Sequence, residues 1–348
     1  VSATSPARGL AALSPAAFAQ VMATGIVAIA CHRHGLTALA GALLVVNLAL
    51  YPLLWGLTIA RAVRHPARVW ADAIDHARAV GFFTVVAATC VLGAQLVVTE
   101  GRVAEARALW WAGLALWAVL IYGVLTLLVV ARVKPPLAEA LHGGWMVVVV
   151  AGQAVAVLGA QLAPAAGAAP VVVALALWLA SGVLYLWLAG AVLHRALFHP
   201  VDPAALTPAS WVVMGAAAIS ALAGASLVAA APAGDAAGVL DAVRPFARGL
   251  TLAWWAVATW WIPLLVALGV WRHAVRRVPL RYEVGLWSLV FPLGMYSVAT
   301  ARVGEAVALD ALAPVARGVA YVALGAWVAT SAAQAWHLLR ARAAYRSA

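Results

Sequence analysis

The chain has 348 residues, of which 66% are hydrophobic and 9% charged, against about 25% charged in an average soluble domain. Its mean hydropathy is +1.01, which excludes a soluble globular protein and marks an integral membrane protein. The formal net charge of +11 does not mark a nucleic-acid binder, because the cations sit in short loops beside apolar segments, where orientation and anionic headgroups account for them.

Asp, Glu, Lys and Arg are absent from 9–32, 34–60, 79–99, 108–131, 140–194, 203–234, 249–271, 284–301 and 318–339. A span needs about 20 apolar residues. The window 140–194 is too long for one, and PAAGAAP at 164–170 divides it. Ten spans result, near 16–32, 37–60, 79–98, 109–131, 142–162, 170–193, 209–230, 247–271, 285–303 and 315–339, in a single transmembrane domain over 1–348. The opening VSATSPARGLAAL leads into a long span without a cleavage-site pattern, so no signal peptide is expected. Ser14 before Pro15 reads as an N-cap and a first-turn proline, and Thr207–Pro208 repeats that start. HPARVWADAIDHARAV at 65–80 reads as a short interfacial helix. Trp110, Trp111, Trp145, Trp211, Trp271 and Trp287 stand near span ends as expected interfacial anchors. In the ninth span, WSLVFPLGMYSVAT at 287–300, Pro292 and Gly294 predict a broken helix, at a cost of about 3 kcal/mol.

Ten spans put both termini on one side. That side collects 15 of the 22 Lys and Arg, whereas the acidic residues divide 5 to 6. The positive-inside rule then places both termini in the cytoplasm of a plasma-membrane protein.

The odd-numbered spans resemble one another. FFTVVAATCVLGAQL at 82–96 and WMVVVVAGQAVAVLGAQL at 145–162 share their tail, and each odd span opens on an aromatic residue. Small or polar residues recur at mid-depth: Thr24–Gly25, Ala88–Thr89, Gly152–Gln153, Gly215 and Gly294. The expected architecture is an all-α polytopic membrane protein, ten helices as five repeated helical hairpins around a central pore. The small residues have a second reading, close helix packing. On the pore reading the path carries Gln20, Thr24, Gly25, Thr84, Thr89, Gln95, Gln153, Gln161, Gly215, Ser220, Ser226, Ser297 and Thr300. The bulkier even spans face lipid.

No ionisable Asp, Glu, Lys or Arg lies mid-span, which argues against a cation path. A neutral tube with basic mouths suits small anions. Arg33 and Arg302 end spans one and nine on the same side. Each either draws anions to that mouth or is a solvated helix-terminal charge. Phe291 is either an apolar gate, blocking ions by dewetting, or a packing residue. His32 and His34 have no further ligands nearby, and Cys31 and Cys90 support neither a disulfide nor a metal site, so no metal or cofactor is expected. The nine histidines form no HxxH or HxxxH pattern, which leaves a membrane enzyme as a remote alternative.

Three stretches carry a family resemblance: FAQVMATGIVAIA at 18–30, HPARVWADAIDHARAVGFFTVVAATCVLGAQL at 65–96, and WSLVFPLGMYSVATARVGEA at 287–306. The chain resembles the tellurite-resistance/dicarboxylate transporter family, whose relatives include plant slow-type anion channels and fungal malate and sulfite transporters. The resemblance covers essentially the whole chain. It implies ten helices in five hairpins, odd helices around a pore, and homotrimers with one pore per protomer. The family's occluding phenylalanine, on the ninth helix before the proline, carries over onto Phe291. The MGTGI-like motif of the first helix reads MATGI at 22–26, with Ala23 the departure. The implied cargo is a C4-dicarboxylate such as malate, with sulfite or tellurite-related oxyanions as the alternative. The expected partners are the lipid bilayer and the small anion.

Overall fold

The computed structural model describes residues 9–166, 168–231 and 235–346. Arg8 with the rest of the leader, and Gly167 at the centre of the expected break PAAGAAP, lie outside the described residues. Ten long helices follow in chain order: α1 Ala19–Arg33, α2 Thr37–Arg64, α3 Thr84–Glu100, α4 Val103–Val130, α5 Val147–Ala166, α6 Ala168–Phe198, α7 Val212–Ala229, α8 Asp235–Val270, α9 Trp287–Val307 and α10 Ala313–Arg346. Each belongs to a helical stretch long and apolar enough to span a membrane. The protein is thus an all-α polytopic membrane protein.

The two sets of helices are buried to different degrees. Between 61% and 94% of the odd-numbered spans is buried, against 17% to 44% of the even-numbered ones. The odd helices touch in a closed cycle, α1 to α3, α5, α7, α9 and back to α1. Each even helix packs on the odd helix before it and on the next one round, so α10 reaches both α9 and α1. The composition explains the division. α7 is built of Ala, Gly, Ser, Val, Leu, Ile and Met and is buried on every face except at its last residue, because small side chains let backbones approach closely. The outer helices leave large apolar groups exposed, such as Val119, Tyr122, Val183, Trp187 and Trp260, a surface suited to lipid.

Every odd helix begins with a short 3-10 turn: Pro15–Phe18, Ala79–Phe83, Gly143–Met146, Pro208–Trp211 and Val284–Leu286. Ser14 caps the first, accepting from the Ala16 N–H at 3.2 Å. Thr207 stands in the equivalent place but makes no capping bond, so Pro208 alone sets that start. At the other end, α3 stops at Gly101 in the left-handed conformation, φ 65°, where glycine carries no Cβ penalty.

Among the described residues, five hydrogen bonds donated by aromatic side chains of the even helices tie the outer layer to the inner one. Tyr51 of α2 bonds the Thr89 hydroxyl of α3 at 2.8 Å; Thr89 donates to the Val85 carbonyl, so Tyr51 is the donor. Trp110 of α4 donates to the Val155 carbonyl of α5, Trp178 of α6 to the Ser220 carbonyl of α7, Trp255 of α8 to Thr300 of α9, and Trp327 of α10 to Thr24 of α1. Each even helix thus reaches the next odd helix, and the fifth bond returns to the first. A bond of this kind contributes about 0.6–1.7 kcal/mol in a membrane. Of the tryptophans expected near span ends, Trp110 and Trp287 are fully buried in the protein, whereas Trp111 is exposed.

The helix expected within 65–80 runs Pro66–Ile74. Its Asp72 is buried and accepts from Arg61 at the end of α2, at 2.6 Å, and from Arg78 at 2.5 Å. Arg78 is held above its ordinary pKa, first by the hydrogen bond to Asp72. On the same side of the molecule His142 precedes the turn into α5. Its Nδ1 accepts from the Gly144 N–H at 3.0 Å, which leaves Nε2 to donate to the Ala77 carbonyl at 2.9 Å.

Burial holds the His142 pKa below the ordinary histidine value, with Arg195 adding repulsion; the Ala77 carbonyl and Asp75 oppose this. The unfolded chain therefore binds the proton first as pH falls below about 6.5. His142 contributes its full stability above that pH and progressively less below it. The melting temperature in detergent is expected to fall between about pH 6.5 and 5.5, with a shallower slope in His142→Gln. Equal slopes in the two proteins would contradict this account.

Candidate functional site

Two adjacent cavities lie along the axis of the five odd helices and share part of their lining. The larger, about 270 Å³, opens at the end opposite the chain termini. All five odd helices line it: Arg33 from α1, Val97 from α3, Gln161 from α5, Ser226 from α7 and Arg302 from α9. Beneath it lies a constriction of about 20 Å³, room for about one water molecule. Ile26, Val91, Val157, Ile219, Leu222 and Met295 are half of its lining, and Gln161 is the one amide among the rest, so this small cavity is walled mainly by apolar groups. Ile29, Gln161, Leu222 and Val298 line both cavities.

The polar side chains expected along the path mostly turn away from this axis. Gln20 pairs with Gln334 of α10 through two amide hydrogen bonds. Thr24 accepts from Trp327 of α10, and Ser297 donates to the Ala316 carbonyl of the same helix. Thr84 caps its own turn by donating to the Gly81 carbonyl. Thr89 meets Tyr51, and Gln95 accepts from Asn47 at 2.9 Å, both of α2. Gln153 donates to the Trp178 carbonyl of α6. Ser220 donates to the Ala216 carbonyl one turn back. Thr300 accepts from Trp255 of α8. The reason is energetic. A buried polar group needs a partner, and the outer helices supply indole, phenol and amide partners. Of the hydroxyl and amide groups considered in the sequence, Gln161 and Ser226 line the cavities. Their Oε1 and Oγ atoms are buried without a hydrogen bond in the protein.

The glycines serve close packing. A Cβ on Gly215 would stand 2.8 Å from Pro292, and one on Gly294 would stand 2.8 Å from Ile26. Gly25 is equally confined, with Val91 at 2.7 Å. These contacts let α9 lie against α7 on one side and α1 on the other. The expected break at Pro292 does not occur: α9 is a continuous helix from Trp287 to Val307. Pro292 removes one N–H from the ladder, the one directed at the Ser288 carbonyl. Its ring sits against Gly215, where a larger residue would not fit.

Along α9, Phe291, Met295, Val298, Arg302 and Glu305 follow at alternating intervals of four and three residues, which places them on one stripe. Met295, Val298 and Arg302 of that stripe line the cavities. Phe291 is buried one turn nearer the chain termini. At the other end of the stripe, the Glu305 carboxylate accepts from Arg302 at 2.7 Å through one oxygen and from Arg33 through the other. Arg33 Nε is buried with no partner in the protein.

A buried helical cycle, with cations where its axial cavity opens, belongs to a membrane transport protein rather than an enzyme. A family model described as voltage-dependent anion channel (SLAC1) matches residues 12–335, and the chain belongs to that family. Its function is accordingly the movement of anions across a membrane through a helical bundle. The chain is similar to an uncharacterized membrane protein of Mycobacterium tuberculosis, 44% identical over 155 residues, which are 44% of this chain and 77% of that one. It is also similar to an uncharacterized transporter of Methanocaldococcus jannaschii, 22% identical over 90% of this chain and 91% of the relative. A second uncharacterized transporter of that organism is 27% identical over 34% of this chain and 32% of its own.

Proposed function

We propose that the chain forms one transmembrane domain of five helical hairpins, with an anion pore along the axis of the odd helices. One observation carries this reading: all five odd helices line a cavity that has Arg33 and Arg302 at its rim and narrows to an apolar neck. Cations at the rim concentrate anions. The neck excludes ions by dewetting. Phe291 is the gate, one turn below Met295 on the same stripe. Pro292 and Gly294 fix its height by seating α9 against α7 and α1. Both termini lie in the cytoplasm, so the basic cavity faces outward. The protomers assemble as homotrimers in the plasma membrane, each with its own pore.

C4-dicarboxylates such as malate are the proposed cargo. A dianion of that length meets donors at two levels, the rim arginines and the Gln161 amide, which also lines the inner cavity. Sulfite or tellurite-related oxyanions, which need a single cluster, are the competing cargo. Purified protein in liposomes is the test, with malate, succinate, sulfite, nitrate and chloride offered with and without a pH gradient. Malate uptake that succinate competes for and nitrate does not is the expected result. A tight seal to every anion would sink the transport reading, and preference for sulfite would replace the cargo.

A further inference from the structure

We propose that Glu305 is an internal competing anion, so that Arg33 and Arg302 form a carboxylate-binding site that the chain itself fills. The inference rests on the pore reading for its transport consequence, but the site follows from contacts alone. Arg33 comes from α1 and Arg302 from α9, two neighbours in the inner cycle. Both guanidinium groups line the outer cavity, and both donate to the one carboxylate of Glu305. Glu305 lies at the open end of the stripe that carries Met295 and Val298. Its side chain is about half exposed, whereas those of Arg33 and Arg302 are 23% and 27% exposed. The cations are thus fixed in the wall and the carboxylate is the solvent-facing member. Arg33 Nε is buried and unpartnered, so Glu305 does not saturate the donors of that guanidinium.

An arriving carboxylate offers the same two oxygens and replaces Glu305 on the arginines. The tethered group swings toward solvent, and no bond is made or broken. Because Glu305 also cancels one of the two positive charges, it sets the concentration at which an external anion enters. The penalty scales with the charge of the arriving ion, so Glu305 discriminates against a dianion more than against a monoanion.

Glu305→Gln keeps the shape and removes the charge. One unit charge at about 4 Å in a water-filled cavity changes binding about fivefold. The half-saturating concentration for flux into liposomes is therefore expected to fall about fivefold for chloride and about 25-fold for malate at pH 7.5. Glu305→Asp, too short to reach both guanidiniums, is expected to fall between Gln and the native residue. Binding is read separately, as the concentrations of malate and of chloride that half-saturate the thermal stabilisation of protein in detergent. The same ordering there supports the site even if the native protein conducts nothing, an outcome that would remove only the transport reading. Unchanged half-saturation in Glu305→Gln by both readouts overturns the proposal. So does a fall of equal size for chloride and malate. A lower melting temperature with native half-saturation makes Glu305 a mere tie between α1 and α9, and overturns it equally.

Discussion

Phe291→Ala is expected to raise anion flux about 30-fold. The phenyl group is buried to 1% exposure on the stripe that continues into the constriction. On the proposed gate reading, removing it takes about 2 kcal/mol of apolar surface from the passage that an ion must wet, and each 1.36 kcal/mol is a factor of ten in rate. The same substitution opens a void in the core, which costs about 3–5 kcal/mol of stability in a dry protein. Leu43→Ala separates the two effects. Leu43 is equally buried but belongs to the outer helix α2, so its loss is expected to lower stability and leave flux unchanged. Native flux in folded Phe291→Ala would remove the phenylalanine from the gate and leave the constriction to Ile26, Val91, Leu222 and Met295.

Asp72→Asn is expected to be the most destabilising of the changes outside the axis, by about 3 kcal/mol. The Asp72 side chain is 9% exposed and that of Arg61 5%. Their bond joins the end of α2 to the short helix Pro66–Ile74. Arg61 also borders a largely apolar cavity of about 180 Å³ walled by Phe18, Trp55, Phe82 and Leu120, with no carboxylate in its lining. Loss of the carboxylate strands a buried cation, whereas Arg78, half exposed, is solvated without it. The double variant Arg61→Met with Asp72→Asn removes both charges and is expected to recover most of the loss. Unfolding in mixed micelles measures the cycle. A double variant as unstable as Asp72→Asn alone would mean that the helix, not the stranded charge, is what fails.

The count of ten spans and the division into two alternating classes were legible because they depend on composition. Charge-free length is a one-dimensional signal, and helices rich in Ala and Gly differ from bulky ones wherever they lie. Span ends were less legible. α2 runs on to Arg64 and α4 starts at Val103, since a helix continues beyond the apolar window into the headgroup layer. The rotation of each inner helix was not legible at all. A soluble helix declares its buried face by a polar one, but α7 has no polar face and its serines could point anywhere. Polar side chains were therefore assigned to the axis, whereas Thr24, Thr89, Gln153 and Thr300 face outer helices. A usable signal was present. Tyr51, Trp110, Trp178, Trp255 and Trp327 recur at intervals of 59 to 77 residues, one in each even helix, and each brings a donor that needs an acceptor on a ring helix. Pro292 was misread for a related reason. It lies in the second turn of α9, with Gly215 giving its ring room, so the lost bond is confined to one carbonyl.

The circular order of the five aromatic bonds constrains how the protein is made. A ribosome delivers the helices in sequence, and four of the bonds join elements that emerge consecutively. The fifth joins Trp327 to Thr24, separated by 303 positions. Until α10 enters the bilayer, α1 lacks the partner for Thr24, and Gln20 lacks the amide of Gln334. The nascent protein therefore carries an unfinished polar seam from the insertion of α1 until that of α10. That seam is available for a membrane quality-control machinery to recognise, and it closes only when α10 arrives.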